Sequence, residues 1–173
     1  PADVGIAVGL KKGSDLRERM NSILAEITDD QKKQLMEQIV AISSGKTVDQ
    51  FAISSETPAE PVGTLKIGME CAYAPYNWTD VEGNSLGCVP ISGEGKENLW
   101  ANGYDVQIAK YLADRLGLKL EIYAIEWNSL LPALESGAID AIAAGMSPTA
   151  ERAEQIDFTD TYYESNLVVI IKK

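Results

Sequence analysis

The chain has 173 residues, no histidine and two cysteines, and its 26 acidic against 15 basic side chains give a formal net charge of −11. This length fits one domain, and the acidity argues against nucleic acid or an anionic membrane as a partner, because both attract basic patches. Without histidine, neither Ser-His-Asp nor Cys-His catalysis is possible, and the composition predicts no metal site and no cofactor.

The N-terminal part of the chain predicts a strand followed by two helices. Residues 4–10 form a β-branched run that indicates a buried strand. Ser14 is expected to cap the first helix, and Thr28 and Gln31 form the capping box of the second, which Gly45 would end. The predicted apolar faces are Leu16, Met20, Ile23, Leu24 and Ile27 in the first helix, and Leu35, Met36, Ile39 and Val40 in the second.

Residues 43–63 differ in composition from the segments on either side. They are rich in Ser, Thr, Glu, Ala and Pro, and large apolar residues are scarce. This composition predicts a linker, in which Phe51 would be a single local anchor.

Beyond the linker, strand and helix signals alternate. The predicted strands are 65–70, 118–125, 139–144 and 166–171, and the predicted helices are 104–116, 128–136 and 149–154. Alternation at these lengths indicates a mostly parallel sheet with helices on both faces. The predicted fold class is therefore α/β.

Three loops of such a sheet are candidates for a binding site. Ligands bind beyond the carboxyl ends of the strands in open α/β sheets. This rule selects the loop after Glu70, the loop before Asn128, and residues 145–152.

The loop 145–152 carries the most chemical information. Gly145 lets the backbone approach a ligand, and free N–H groups precede a short helix that would attract an anion. Arg152 could bind a carboxylate or phosphate through two parallel hydrogen bonds. Pairing of Arg152 with Glu151 or Asp157 on the surface is an equally good interpretation of the spacing.

The other two loops carry aromatic side chains and an acid. Tyr73, Tyr76, Trp78 and Trp127 are individually typical of core or rim positions, but near converging loops they favour a pocket wall. Glu70 could receive a cationic or amide group of a ligand, or it could be a solvated strand end.

The two cysteines allow a disulfide. A bond between Cys71 and Cys88 would close a short loop, suit an exported protein and stabilise it by up to ~3 kcal/mol. Two free thiols are the alternative.

Several longer motifs identify a family when they are taken together. They are LKIGMECAYAPYNW, NGYDVQIAKYLADRLG, IEWNSLLPALESGAIDAIAAGMSPTAERAEQIDFTDTYYES and LVVIIKK. These motifs resemble the first half of an extracellular or periplasmic amino-acid-binding protein of an ABC importer, a two-lobed type II solute-binding protein of family 3. The earlier segment GIAVGLKKGS and the two helices after it resemble the hinge strand and C-terminal end of the same family.

The order of these parts is reversed relative to the family, and its second lobe is missing. The resemblance therefore implies one circularly permuted α/β lobe made of residues 1–42, the linker 43–63 and residues 64–173. Pro1 as first residue indicates a processed or cut chain, and the clean cut points favour an engineered or excised half-protein over part of a natural tandem receptor.

The resemblance implies how the loop 145–152 would hold an amino acid. Arg152 would bind the α-carboxylate, assisted by Ser147 and the backbone of Met146 and Ser147. The carbonyl of Gly145 and the hydroxyl of Ser147 would accept the α-ammonium group.

The resemblance also implies the roles of the other two loops. Tyr73 and Trp127 would be the aromatic walls. Glu70 would meet the ligand side chain, which favours a polar or cationic amino acid.

A transport function follows from the resemblance, with an amino acid, the missing second lobe and an ABC permease as partners. The location would be extracellular or periplasmic, with a lipid anchor on the full-length protein. Binding by the lobe alone would be weak or absent. The alternative is a folded fragment that binds no ligand and forms a homodimer through its exposed hinge strands. An enzyme is the hypothesis that the sequence favours least.

Overall fold

The computed structural model describes residues 5–164 of the chain. The helices are α1 (Leu16–Leu24), α2 (Asp29–Ser43), α3 (Tyr104–Leu116), α4 (Trp127–Ser136) and α5 (Ala150–Gln155). The strands are β1 (Gly5–Ile6), β2 (Gly9–Leu10), β3 (Thr64–Met69), β4 (Ala72–Tyr73), β5 (Asn77–Asp80), β6 (Val89–Pro90), β7 (Trp100–Asn102), β8 (Lys119–Ala124), β9 (Ala141–Ile142), β10 (Asp157–Phe158) and β11 (Tyr163–Glu164). The predicted strand 166–171 lies outside the described residues.

The main sheet has five strands in the order β10-β2-β9-β3-β8. Strand β3 pairs in parallel with both β8 and β9, whereas β2 is antiparallel to both β9 and β10. Four strands therefore run in one direction and β2 alone runs against them. The α/β class with a mostly parallel sheet is confirmed.

Helices cover both faces of this sheet. A Cβ atom at Gly68 in β3 would lie 3.1 Å from Leu130 Cδ2, which places α4 on that face. Leu65, Ile67 and Met69 point to the opposite face, because side chains alternate along a strand, and all three are fully buried. Helix α3 packs against β8, and α1 and α2 pack against α3.

The predicted strand 4–10 is buried but divided in two within the described residues. Strand β1 pairs with β11, and β2 lies between β9 and β10 in the main sheet. Between them, Ala7 donates its N–H to the Met146 carbonyl at 3.0 Å, and Val8 donates to Thr159 Oγ1 at 3.0 Å. The segment changes its pairing partner here, which interrupts the strand.

The predicted helix ends are mostly right. Thr28 and Gln31 form the predicted capping box, with Gln31 N–H donating to Thr28 Oγ1 at 3.2 Å. Ser14 is wrong as the N-cap of α1, because Asp15 holds that position, although Ser14 Oγ accepts the Leu16 N–H at 3.3 Å. In α2, Leu35, Met36 and Ile39 are buried as predicted, whereas Val40 is 44% exposed.

Residues 43–63 lie largely outside regular structure, but they are firmly anchored. Ile53 is only 7% exposed and belongs to the core, whereas Phe51 is half buried. Gln38 of α2 accepts the Ala52 N–H at 2.8 Å and donates to the Gln50 carbonyl at 2.9 Å. The segment is therefore attached to the helices it crosses.

The segment between β3 and α3 forms strands that the sequence did not predict. Strands β4, β5, β7 and β6 form, in that order, a four-stranded antiparallel sheet. Helix α3 follows at the predicted residues and ends at Gly117, whose φ is +70°. Among residues 5–164, no helix is both long and apolar enough to cross a membrane.

Candidate functional site

The candidate site lies where three neighbouring parallel strands end. Strands β8, β3 and β9 are adjacent, so their carboxyl ends meet at one edge of the sheet. Glu70 follows β3, Trp127 begins the helix after β8, and Gly145 lies beyond β9. The three loops selected from the sequence are therefore neighbours.

Gly145 lies beneath two tyrosine rings. Its φ is +61°, and a Cβ atom there would lie 2.9 Å from Tyr73 Cε1 and 3.4 Å from Tyr76 Cγ. The two rings lie 5.0 Å apart, and Tyr73 is 47% exposed. Glycine is required here both by the left-handed backbone and by the close approach of the rings. Trp78 instead lies half buried in β5 against the core.

Arg152 is held within the same loop. Its Nη1 donates to the Ser147 carbonyl at 2.9 Å, and its Cζ lies 5.3 Å from the centre of the Trp127 ring. Thr149 caps α5 by accepting the Arg152 N–H at 3.3 Å. Within the described part of the chain Arg152 forms no ion pair, and Asp157 pairs with Lys12 at 3.3 Å instead. The surface ion pair is thus not the role of this arginine.

Some of the backbone carbonyl groups next to Arg152 are already hydrogen-bonded within the protein. Met146 is only 1% exposed, and its carbonyl already accepts the Ala7 N–H. The Ser147 carbonyl already accepts from Arg152 and from the Thr149 N–H at 3.0 Å. The half-buried Ser147 hydroxyl has no hydrogen bond to any of residues 5–164, so it can serve a ligand.

Glu70 is half buried at the end of β3. Its carboxylate pairs with no lysine or arginine among residues 5–164. An acid and an unpaired arginine thus lie on neighbouring loops, an arrangement that can receive a ligand carrying both charges.

Sequence reasoning missed a buried carboxylate behind these loops. Asp105 is fully buried and accepts hydrogen bonds from Asn77 Nδ2 at 2.8 Å, from the Tyr162 hydroxyl and from the Gly145 N–H. Burial raises the pKa of Asp105 to about 7, although these hydrogen bonds oppose the rise. An acid in the first turn of a helix is ordinarily a solvated partner of the helix dipole, so the sequence carried no signal of this role.

The expected disulfide between Cys71 and Cys88 is not formed, and both residues are free thiols. Cys71 precedes β4 and Cys88 precedes β6, which lie at opposite edges of the four-stranded sheet. Three strand spacings separate such edges, about 14 Å, whereas bonded cysteines require Cα atoms within about 7 Å. The strand order therefore prevents the bond.

Comparison with known proteins gives consistent matches. Residues 88–173 match the model of bacterial extracellular solute-binding proteins, family 3. The arginine-binding extracellular protein ArtP of Bacillus subtilis (strain 168) is 44% identical over 71 residues, which are 41% of this chain and 28% of that protein. A probable histidine-binding protein of Campylobacter jejuni is 30% identical over 135 residues, 78% of this chain and 44% of that protein. A solved ancestral arginine-binding protein bound to arginine aligns with a TM-score of 0.46 and 35% identity, over 58% of this chain and 38% of that one.

The fold and the site together define a class of protein. An α/β sheet whose strand ends carry a glycine loop, aromatic side chains and an arginine that pairs with no acid among residues 5–164 is a scaffold for binding a small ligand. Through residues 88–173, the chain belongs to the bacterial extracellular solute-binding proteins, family 3, which confirms the family predicted from the motifs. The chain spans less than half the length of either curated relative described above.

Proposed function

We propose that this chain is an amino-acid-binding lobe of an ABC-importer solute-binding protein. The observation that carries the proposal is the position of Arg152, held between the Ser147 carbonyl and the Trp127 ring without an ion pair to any of residues 5–164. In a chain with 26 acids against 15 bases, an arginine without an acidic partner at a strand-end loop is available for a ligand carboxylate.

The remaining contacts are proposed from the roles that the family resemblance implies. The Gly145 carbonyl and the Ser147 hydroxyl receive the α-ammonium group, while Tyr73 and Trp127 flank the ligand. Glu70, on the adjacent loop, meets the ligand side chain and favours a polar or cationic amino acid. The names of the relatives, an arginine-binding and a probable histidine-binding protein, support this preference.

The site is open on one side, which limits its affinity. The Tyr73 ring is 47% exposed, so a ligand on this surface stays in contact with water. Ion pairs in such surroundings contribute only about 0–1 kcal/mol each. We expect weak binding by this chain alone, and stronger binding when a second lobe closes over the ligand and presents it to a permease.

A single permuted lobe accounts for the arrangement of the N-terminal part. Strand β2 lies between β9 and β10, and α1 and α2 contact α3, so residues 5–42 contribute to the sheet and core formed with residues 64–164. The segment 43–63 joins these parts and is anchored by Ile53. We propose an extracellular or periplasmic location and a lipid anchor for the full-length protein, and binding rather than catalysis as its activity.

Titration calorimetry with arginine, glutamine, histidine and cystine at low ionic strength tests the proposal. We expect heat of binding that Arg152→Ala abolishes and Arg115→Ala preserves. Arg115 is a matched control, because its guanidinium also lies over an aromatic ring, 4.4 Å from the centre of Tyr111, but outside the site. Equal binding by the two variants would exclude the proposed carboxylate site.

A second result would overturn the binding function itself. If no amino acid gives heat at millimolar concentration, and light scattering shows a dimer, the chain is a self-associating fragment instead. A monomer that gives no heat until the missing lobe is added in trans would remove independent binding and keep the assignment as a lobe.

A further inference from the structure

A carboxylate that pairs with no cation in the described part of the chain lies in the core directly behind the candidate site. Asp105, the second residue of α3, is 0% exposed and forms no ion pair within residues 5–164. Burial of a carboxylate is unfavourable unless hydrogen bonds compensate for lost water. Three donors reach Asp105, from Asn77, Tyr162 and Gly145.

Two of these hydrogen bonds lead to the loops of the site. Gly145, which donates its N–H to Asp105, opens the loop after β9. Asn77 donates to Asp105 through Nδ2 and accepts the Cys71 N–H through Oδ1 at 2.8 Å. Cys71 directly follows Glu70 and has a left-handed backbone with φ of +57°. Asp105 is thus one hydrogen bond from the loop after β9 and two from the loop after β3.

We infer that Asp105 and Asn77 are positioning residues that hold the loop after β3 in a fixed position against the loop after β9. They thereby set the separation between Glu70 and Arg152, a role in ligand selection that rests on the proposed function. Asn77 is also 0% exposed, so neither residue touches a ligand on the open surface. The connection between the loops is a property of the unliganded protein and is measurable without a ligand.

The arrangement predicts an effect on the selectivity between amino-acid ligands. A fixed separation between an acid and an arginine discriminates between amino acids whose side chains differ in length. Loosening the connection should therefore bring the affinities for arginine and ornithine closer together. General destabilisation of the fold would instead weaken both affinities by the same factor.

The first measurement is amide hydrogen exchange by NMR in the absence of ligand. In Asn77→Asp, measured at a pH above the raised pKa of Asp105, two carboxylates face each other, and we expect exchange at the Cys71 and Gly145 amides to rise about tenfold, the effect of losing one hydrogen bond. Adding Asp105→Asn restores a donor between the two positions, since the new amide group donates to the new carboxylate. We expect this double variant to return both exchange rates close to those of the wild type.

Asp114→Asn is the matched control. Its carboxylate lies on the same helix and accepts the Glu56 N–H at 3.0 Å, away from both loops. Should Asn77→Asp fail to fold, Asp105→Asn alone is compared with this control. The inference would be overturned if the exchange rates of both amides in the single variant matched those of the control. It would also be overturned if the double variant restored neither exchange rate.

The second measurement is the ratio of arginine and ornithine dissociation constants. We expect Asn77→Asp to bring this ratio towards one and the double variant to restore it. An unchanged ratio, with both affinities reduced equally, would overturn the role in ligand selection. If the wild type binds neither amino acid while the exchange pattern is as expected, independent binding by this chain fails and the connection between the loops stands.

Discussion

Asp105→Asn should change how the stability of the protein depends on pH. The carboxyl group of Asp105 has its pKa raised by burial from 3.8 to about 7. A difference of this size corresponds to about 4 kcal/mol, at about 1.36 kcal/mol for each pH unit. This is an upper limit, because partial opening of the core would relieve the burial at high pH.

The sign follows from proton binding in the two states. Below about pH 4 the carboxyl is protonated in both the folded and the unfolded chain, so its contribution to stability is fully present. Between about pH 4 and about pH 7 the folded state binds more protons, and stability therefore falls as the pH rises. Burial also raises the pKa of the neighbouring Tyr104 and Tyr162, so both phenols stay neutral over this range.

Urea denaturation of the wild type and the variant across this pH range measures the effect. We expect the free energy of unfolding of the wild type, relative to Asp105→Asn, to fall by up to about 4 kcal/mol between about pH 4 and about pH 8. Asp114→Asn serves as the control and should retain the decline. A parallel pH dependence of wild type and Asp105→Asn would refute the reasoning, because it would show that Asp105 does not titrate in this range.

Three further predictions concern the loops and the linker. Gly145→Ala should lower the free energy of unfolding, measured by chemical denaturation, more than Gly137→Ala does. Both glycines have φ above +60°, but only at Gly145 would a new Cβ approach a ring, at 2.9 Å. Equal losses of stability would contradict the close packing at Gly145. Ile53→Ala should lower the free energy of unfolding by about 2–4 kcal/mol, because Ile53 is only 7% exposed. Val62→Ala should change it by about zero, because Val62 is 85% exposed. Similar small losses for both variants would mean that the linker is not anchored. After unfolding under non-reducing conditions, an aromatic disulfide reagent should react with two thiols. In the native state the reaction of Cys71 should be slow, because burial raises the pKa of its thiol to about 12. If no thiol reacts after unfolding, the two cysteines form a disulfide.

Features that depend on neighbours in the chain were predictable from the sequence. Helix α3 was predicted at its observed residues, because its apolar spacing and the terminal Gly117 act within a few turns. The capping box of Thr28 and Gln31 is equally local. Strand β9, in contrast, has two residues where the prediction had 139–144, because hydrogen bonds to other strands define a strand.

The candidate site was predictable only in part. The rule on strand ends selected the three loops correctly, since β8, β3 and β9 are neighbours. The spacing did not decide between a ligand and an ion pair for Arg152, and the tertiary structure speaks only to the second, because it pairs Asp157 with Lys12. The expectation of a disulfide was wrong for a related reason. The order of the strands, and not the length of the loop, separates Cys71 from Cys88.

The sequence by itself determined the α/β class, the main helices and the family, because hydrophobic periodicity, caps and motifs are local patterns. Only the tertiary structure decided that Asp105 is buried, since the donors that surround it come from β5, from the loop after β9 and from Tyr162. It also decided that β2 inserts between β9 and β10, while β1 pairs with β11. Pairing and burial depend on residues far apart in the chain, and these contacts turn separate loops into one site.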